Sequence, residues 1–179
     1  ATDASFNAPR DVWVTPNQII YVADHANNRL RKIDTDGIIN TVAGNGIGGW
    51  ADVEDGALAT EVTIGQISSV CVDPNGWVYL VCGETSTVYR IDPSTGYIYR
   101  FAGGNWGMEP FEGANALDVD LGYDLADLFA DTLGNIYIAS RGSNWGGALF
   151  QVDTSGQLHI LAGFGTNEPA DGLQASSTN

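Results

Sequence analysis

One pattern recurs three times along this 179-residue chain and leaves little freedom in what it can fold into. The first copy runs through Asp11-Val12-Trp13-Val14, Ile20-Tyr21-Val22-Ala23-Asp24, Leu30-Arg31-Lys32-Ile33-Asp34 and Thr41-Val42-Ala43-Gly44. The second runs through Ser69-Val70-Cys71-Val72-Asp73, Trp77-Val78-Tyr79-Leu80-Val81, Val88-Tyr89-Arg90-Ile91-Asp92 and Arg100-Phe101-Ala102-Gly103. The third runs through Asp127-Leu128-Phe129-Ala130-Asp131, Ile136-Tyr137-Ile138-Ala139, Leu149-Phe150-Gln151-Val152-Asp153 and Ile160-Leu161-Ala162-Gly163. The period is about 58 residues. Self-similarity on this scale marks stacked supersecondary units, none of which buries its apolar surface alone.

Each copy holds four short runs of β-branched and aromatic residues. The joints are turn chemistry: Asp34 to Gly37, Asp73 to Gly76, Asp92 to Gly96, Asp131 to Gly134 and Asp153 to Gly156. An Asp that bonds its own turn, followed by a Gly able to take positive φ, closes a hairpin. These turns lack the bidentate Glu of a calcium loop. The first strand of each copy is apolar on both parities, as a strand must be when neighbouring units cover both its faces. Four antiparallel strands with such an inner strand make a β-propeller blade. The expected fold class is all-β, a single module over 1–179, with four-stranded antiparallel blades at about 6–44, 64–103 and 121–163.

The stretch Tyr21–Asp34, with its Asn27-Asn28-Arg29-Leu30, followed by Thr41–Gly44, resembles the NHL repeat of six-bladed β-propellers. The linker Glu54–Thr60 resembles the Gly-Asp-Gly-Gly-Pro-Ala-Thr segment that joins bacterial NHL blades. The second copy lacks the Asn-Asn-Arg-Leu signature, and the third carries an insertion, Ser140–Gly147. The resemblance implies the fold. For function it is nearly silent, since propellers host binding scaffolds, lyases and lactonases alike. An extracellular or periplasmic location is implied on the same ground alone.

Ala1–Phe6 aligns with Ala59–Ile64, and Asp171–Asn179 aligns with Asp55–Thr63, so both ends fall in one interblade linker. Propellers need four to eight blades. Three would leave two apolar end faces larger than a soluble monomer tolerates. The expectation is half of a six-bladed propeller, completed by a homodimer that pairs its end blades. The rival is a fragment of a longer propeller.

The charge narrows the partners. With 22 acidic against 7 basic residues, a net charge of −15, the chain would repel a polyanion, so neither nucleic acid nor an anionic membrane is expected as partner. No apolar run approaches the roughly 18 residues of a membrane-spanning helix. Cationic small ligands, carbohydrate, metal ions and protein partners remain open. Cys71 and Cys82 flank the turn at Asp73. If it closes a hairpin, Cys71 faces about Val78 and Cys82 faces about Ile67, roughly 13 Å apart and too far for a disulfide.

Ligand sites of propellers lie on the face shared by the interblade linkers and the loops between second and third strands. Arg10, Asp11, Ser69 and Asp127 enter the central channel from that face. Asp11 and Asp127 would put four carboxylates near the mouth of a dimeric ring, a site for calcium, zinc or a cationic ligand. The structural alternative is that each Asp caps backbone amides or pairs with Arg10. Six-bladed lactonases use a central Glu/Asn/Asp set, a similarity of kind and not of motif. His25 is the one histidine near the face, too few for a three-His zinc site, and otherwise an exposed loop residue. Trp50, Trp106 and Trp145 fall in linkers or loops beside acidic and amide groups, as sugar or cation platforms do, or else cover blade ends. Arg141 would hold an anionic group or pair with a nearby acid. No Gly-x-Ser-x-Gly elbow, CxxC or phosphate loop is present. The reading is a binding or assembly module that closes a ring by self-association, with catalysis left open and disfavoured. A metal-dependent, lactonase-like hydrolase or lyase with a central carboxylate site is the alternative.

Overall fold

The structure, a computed structural model, describes residues 2–50, 53–82, 86–142 and 146–163. Trp145, part of the loop 140–147, the loop residues 83–85 and the C-terminal linker aligned above lie outside the described residues. Blade 1 comprises β1 (Asp11–Val14), β2 (Ile20–Asp24), β3 (Arg29–Ile33) and β4 (Ile39–Ala43), antiparallel in that order. In blade 2 a short β5 (Ala57–Leu58) precedes β6 (Ile67–Val72), β7 (Val78–Cys82), β8 (Thr87–Ile91) and β9 (Tyr97–Gly103). Blade 3 comprises β10 (Leu125–Ala130), β11 (Ile136–Ser140), β12 (Ala148–Val152) and β13 (Leu158–Gly163).

The hairpin turns form as their chemistry requires. The Oδ1 of Asp34, Asp73, Asp131 and Asp153 each accepts the amides two and four residues on. The following Gly takes φ between +75° and +91° in all five turns. Blade 2 differs from the four-strand expectation. The linker crosses to its outer edge, where β5 pairs with β9 as a fifth strand and Asp55 accepts the Arg100 amide. Blade 3 receives its linker in the same way, through a bridge between Asn115 and Gln157. An outermost strand otherwise shows a row of unpaired amides and carbonyls, and the linker covers it.

Two apolar cores lie between the blades. Tyr21, Ala23, Leu30 and Ala43 of blade 1 meet Val70, Val72, Leu80, Tyr89, Ile91 and Ile98 of blade 2. Cys71, Tyr79, Val81, Val88 and Ala102 of blade 2 meet Leu128, Ala130, Ile138, Phe150, Val152 and Leu158 of blade 3. Blade 2 therefore uses both faces of its inner strand, and nearly every residue of β6 is buried. The end blades have a neighbour on one side only, so β1 alternates between half-buried and exposed residues. Val12 and Val14 are each 58% exposed, whereas their equivalents Val70 and Val72 are at 1% and 9%.

The cysteine register differs by one residue from the sequence expectation. Cys82 pairs with Ile67 as expected, but Cys71 lies opposite Tyr79, and it is Val72 that faces Val78. Both cysteines are free and buried.

Candidate functional site

The inner strands β1, β6 and β10 bring Asp11, Ser69 and Asp127 together at the mouth of the channel. The three positions are spaced by one repeat each, and the repeat converts that spacing into contact. Ser69 Oγ lies 2.8 Å from Asp11 Oδ2 and 2.9 Å from Asp127 Oδ1. Asp11 Oδ2 also accepts the Val70 amide at 2.8 Å, and Ser69 Oγ accepts the Leu128 amide at 3.0 Å. In both cases the side chain at this position takes the amide one residue further on in the next blade. Each aspartate also accepts the amide that follows it, Val12 for Asp11 and Leu128 for Asp127. The carboxylates thus cap backbone amides and tie blade to blade. Ser69 is 1% exposed and carries a single hydroxyl hydrogen, which it can donate to only one of the two carboxylates at a time.

The other sequence candidates among the described residues are Arg10, His25, Trp50, Trp106 and Arg141. Arg10 is exposed, its amide donating to the Ala23 carbonyl, and no ion pair joins it to Asp11 among the described residues. His25 is not the exposed loop residue expected. It is 7% exposed, and its Nδ1 lies 2.9 Å from the Ile67 carbonyl of blade 2, fastening the β2–β3 turn of blade 1 to its neighbour. A short 3-10 turn at His25–Asn27 aims the ring that way, ended by Asn28 in the left-handed region. Trp50 stands 66% exposed on the first linker. Trp106, half exposed on the second, leans on Tyr123 with ring centroids 5.4 Å apart. Arg141 pairs with Asp124 at 3.5 Å, both well exposed, in line with the simpler of its two readings. Trp145 lies outside the described residues. The structure brings Asp11 and Asp127 together through Ser69, and among the described residues no hydrogen bond or ion pair joins Arg10, Trp50, Trp106 or Arg141 to them.

Sequence reasoning missed two buried carboxylates on this face. Asp24 is fully buried and accepts the Asn7 amide and the Asn27 side-chain amide, pinning the segment that leads into blade 1. Asp120, 2% exposed, accepts the amides of Gly107 and Gly122 and shapes the second linker. The signal for the first was its place at the end of an inner apolar strand, where an ionised group needs amide partners to be buried at all. Asp120 had no such signal, because its partners come from linker backbone. Among the described residues no group of three or more His, Cys, Asp or Glu side chains stands together as a metal-binding set.

No family model matches the chain. NHL repeat-containing protein 2 of Bos taurus is 47% identical over 64 residues, 35% of this chain and 8% of that protein. Among solved structures, a Bacteroides thetaiotaomicron protein of unknown function aligns over 88% of this chain and 37% of its own, with a TM-score of 0.63 and 22% identity. A gluconolactonase of Xanthomonas campestris aligns over 89% of this chain and 48% of its own, with a TM-score of 0.57 and 12% identity. The chain therefore spans under half the length of these solved relatives and matches less than a tenth of the curated one. At those identities the solved structures speak for the fold alone. Repeat spacing, blade-by-blade register and these likenesses lead to one statement: the chain carries NHL-type repeats folded as three consecutive blades of a β-propeller.

Proposed function

We propose that the chain is an assembly and binding module in which two copies associate head to tail and close a six-bladed ring. The observation that carries this reading is the equivalence of its two end faces to faces buried inside it. On the open side of blade 3 stand Phe129, Tyr137, Ala139, Leu149 and Ala162. The same positions in blade 1 are Trp13, Tyr21, Ala23, Leu30 and Ala43, the set that packs on blade 2. Four of those five residues are identical. On the open side of blade 1 stand Val12, Val14, Ile20, Val22, Ile33 and Ile39, the positions at which blade 2 presents Val70, Val72, Val78, Leu80, Ile91 and Ile98. A second copy placed against blade 3 would therefore repeat an interface that the chain already makes with itself. Head-to-tail contacts close into a ring when the rotations add to a full turn. Two three-blade copies would meet that condition in a six-bladed ring.

The loop face, with Trp50 and Trp106 standing clear of the strands, is where such a ring would take a protein, carbohydrate or cationic small ligand. Calcium or zinc at the mouth would need both copies, since each chain brings only Asp11 and Asp127, already engaged with backbone amides. No catalysis is assigned. Sedimentation equilibrium of the pure chain tests the reading: the expected result is a dimer at micromolar concentration, and a stable, folded monomer there refutes it. Blades supplied by a longer polypeptide would meet the same faces, and that case gives the monomeric result.

A further inference from the structure

We infer that the cleft between blades 2 and 3 is an anion-binding site, in which Arg90 and Arg100 receive the carboxylate or phosphate group of a small polar ligand. Both walls belong to this one chain, so the site stands independently of the ring proposed above.

The cleft lies at the end of the blades opposite the channel mouth. The turns Asp73–Gly76 and Asp153–Gly156 line a cavity of about 430 Å³ there, within the range of roughly 300–1,000 Å³ that small-ligand sites occupy. Arg90 lies on β8, between Tyr79 of β7 and Tyr99 of β9. Its guanidinium stands 4.8 Å from the centroid of the Trp77 ring and 5.7 Å from that of Phe101. The rings are braced in turn, Phe101 by Tyr79 at 4.8 Å and Trp77 by Tyr99 at 6.4 Å. Stacking of this kind fixes the direction of a long side chain before any ligand arrives. Yet the Arg90 guanidinium makes no hydrogen bond or ion pair among the described residues, and its Nε is buried without a protein acceptor. A buried donor in that position calls for a partner. Arg100, on β9, lines the same cavity, and its side chain also lacks an ion pair among the described residues.

The carboxylates of the cleft are already engaged. Asp73 Oδ1 accepts the Asn75 and Trp77 amides, and its Oδ2 lies 3.4 Å from the Tyr79 hydroxyl. Asp153 Oδ1 accepts the amide and hydroxyl of Ser155 and the Gln157 amide, while its Oδ2 faces His159. The ionic groups left to meet a ligand are therefore the two cations, whose planar forks of N–H donors match a carboxylate or a phosphate. Asn75, Asn115 and Thr154 complete the lining and suit a hydroxylated body. The equivalent cleft between blades 1 and 2 holds Ile19, Lys32, Thr41 and Val42 where this one holds Trp77, Arg90, Arg100 and Phe101. The blade fold itself thus requires no arginine between aromatic rings here.

The chain's net charge of −15 opposes an approaching anion, so a modest dissociation constant of about 0.1–1 mM is expected. The test is isothermal titration calorimetry of the 179-residue chain at low ionic strength, with glucose 6-phosphate, glucuronate and glucose as probes. At least one of the two anions is expected to bind at one site per chain, and glucose is not; the stronger anion tells phosphate from carboxylate. Arg90→Gln installs the residue that blade 3 carries at this position, Gln151, and circular dichroism confirms that each variant is folded. Arg90→Gln and Arg100→Gln are each expected to weaken the anion at least about tenfold, with Arg90→Lys in between because it keeps the charge without the fork. Lys32→Gln, in the neighbouring cleft, is expected to leave binding unchanged. No binding of either anion at about 10 mM overturns the site, as does glucose binding equally well or Arg90→Gln binding the anion as tightly as wild type.

Discussion

Leu149→Ala puts the end-face reading to a quantitative test. Leu149 lies on β12 with 38% of its surface exposed, whereas its equivalents Leu30 and Val88 are fully buried against the next blade. A leucine offers roughly 180 Å² of surface, so about 70 Å² remains to be covered when the next copy docks, worth about 1.7 kcal/mol at 25 cal/mol per Å². Truncation to alanine also leaves an incompletely filled contact, which brings the loss to about 2 kcal/mol per junction. The ring has two junctions, so the loss is about 4 kcal/mol, close to a thousandfold in dissociation constant. Sedimentation equilibrium at constant pH measures this directly. Tyr97→Ala is the control: Tyr97 is 43% exposed, yet it lies on the outer strand of the middle blade and belongs to neither end face. A shift of less than about threefold for Leu149→Ala, or an equal shift for Tyr97→Ala, would refute the reasoning, since the predicted effect is far larger and specific to the end face.

Gly44→Ala is expected to destabilise the fold by about 3 kcal/mol, or roughly 6–12 °C in Tm for a chain of this size, because a left-handed residue gains a Cβ with no room for it. Gly44 has φ +86°, and a Cβ there would run into the Asn28 carbonyl oxygen, as it would at Gly103 against Ser86 and at Gly163 against Gly147. A Tm loss below about 2 °C in a thermal melt would contradict this. Burial pushes both thiols, Cys71 and Cys82, well above the ordinary range, so neither is expected to react with a thiol reagent in the native protein and both should react in denaturant. Native labelling at the unfolded rate would show the cores to be open. His159 is raised by its hydrogen bonds to Glu112 and Asp153; Glu112 is lowered by the Ile160 amide and His159, and Asp153 by Ser155 and His159. The His contribution is therefore complete below its unfolded value and lost as pH rises through the folded one. The carboxylate contributions are present above their unfolded values and lost as pH falls. The cluster should stabilise most between about pH 4.5 and 6.5, by under about 1 kcal/mol given its exposure. His159→Gln should thus lower Tm more at pH 5.5 than at pH 9, and an equal or reversed difference would count against it.

Much of this architecture was legible because it follows from local chemistry repeated in register. The Asp-to-Gly turns named five hairpins, and the apolar runs between them named twelve of the thirteen strands. The thirteenth, Ala57–Leu58, escaped because two linker residues carry no periodicity of their own; they become a strand only because β9 offers an open edge. His25 escaped for a similar reason. Nothing in Asp24-His25-Ala26 distinguishes an exposed loop from one pressed against the next blade, and only the approach of Ile67 buries the ring. The one-residue slip at Cys71 was set at the turn, where Val72 and not Cys71 faces Val78; the bulge between Ile67 and Ser69 then shifts the register, so that Cys82 still meets Ile67.

The same division holds at the channel mouth. The repeat spacing alone determined that Asp11, Ser69 and Asp127 are equivalent, since each occupies the same place in its own copy. Equivalence in sequence does not say whether equivalent residues touch. That was decided by the packing of β1, β6 and β10 side by side around one channel, which turns a spacing of 58 residues into hydrogen bonds of 2.8 and 2.9 Å. A sequence repeat is a statement about each unit and its own turns, whereas contact between units depends on the rotation from one blade to the next. That rotation is set by long-range side-chain packing and is written in no single stretch of the chain.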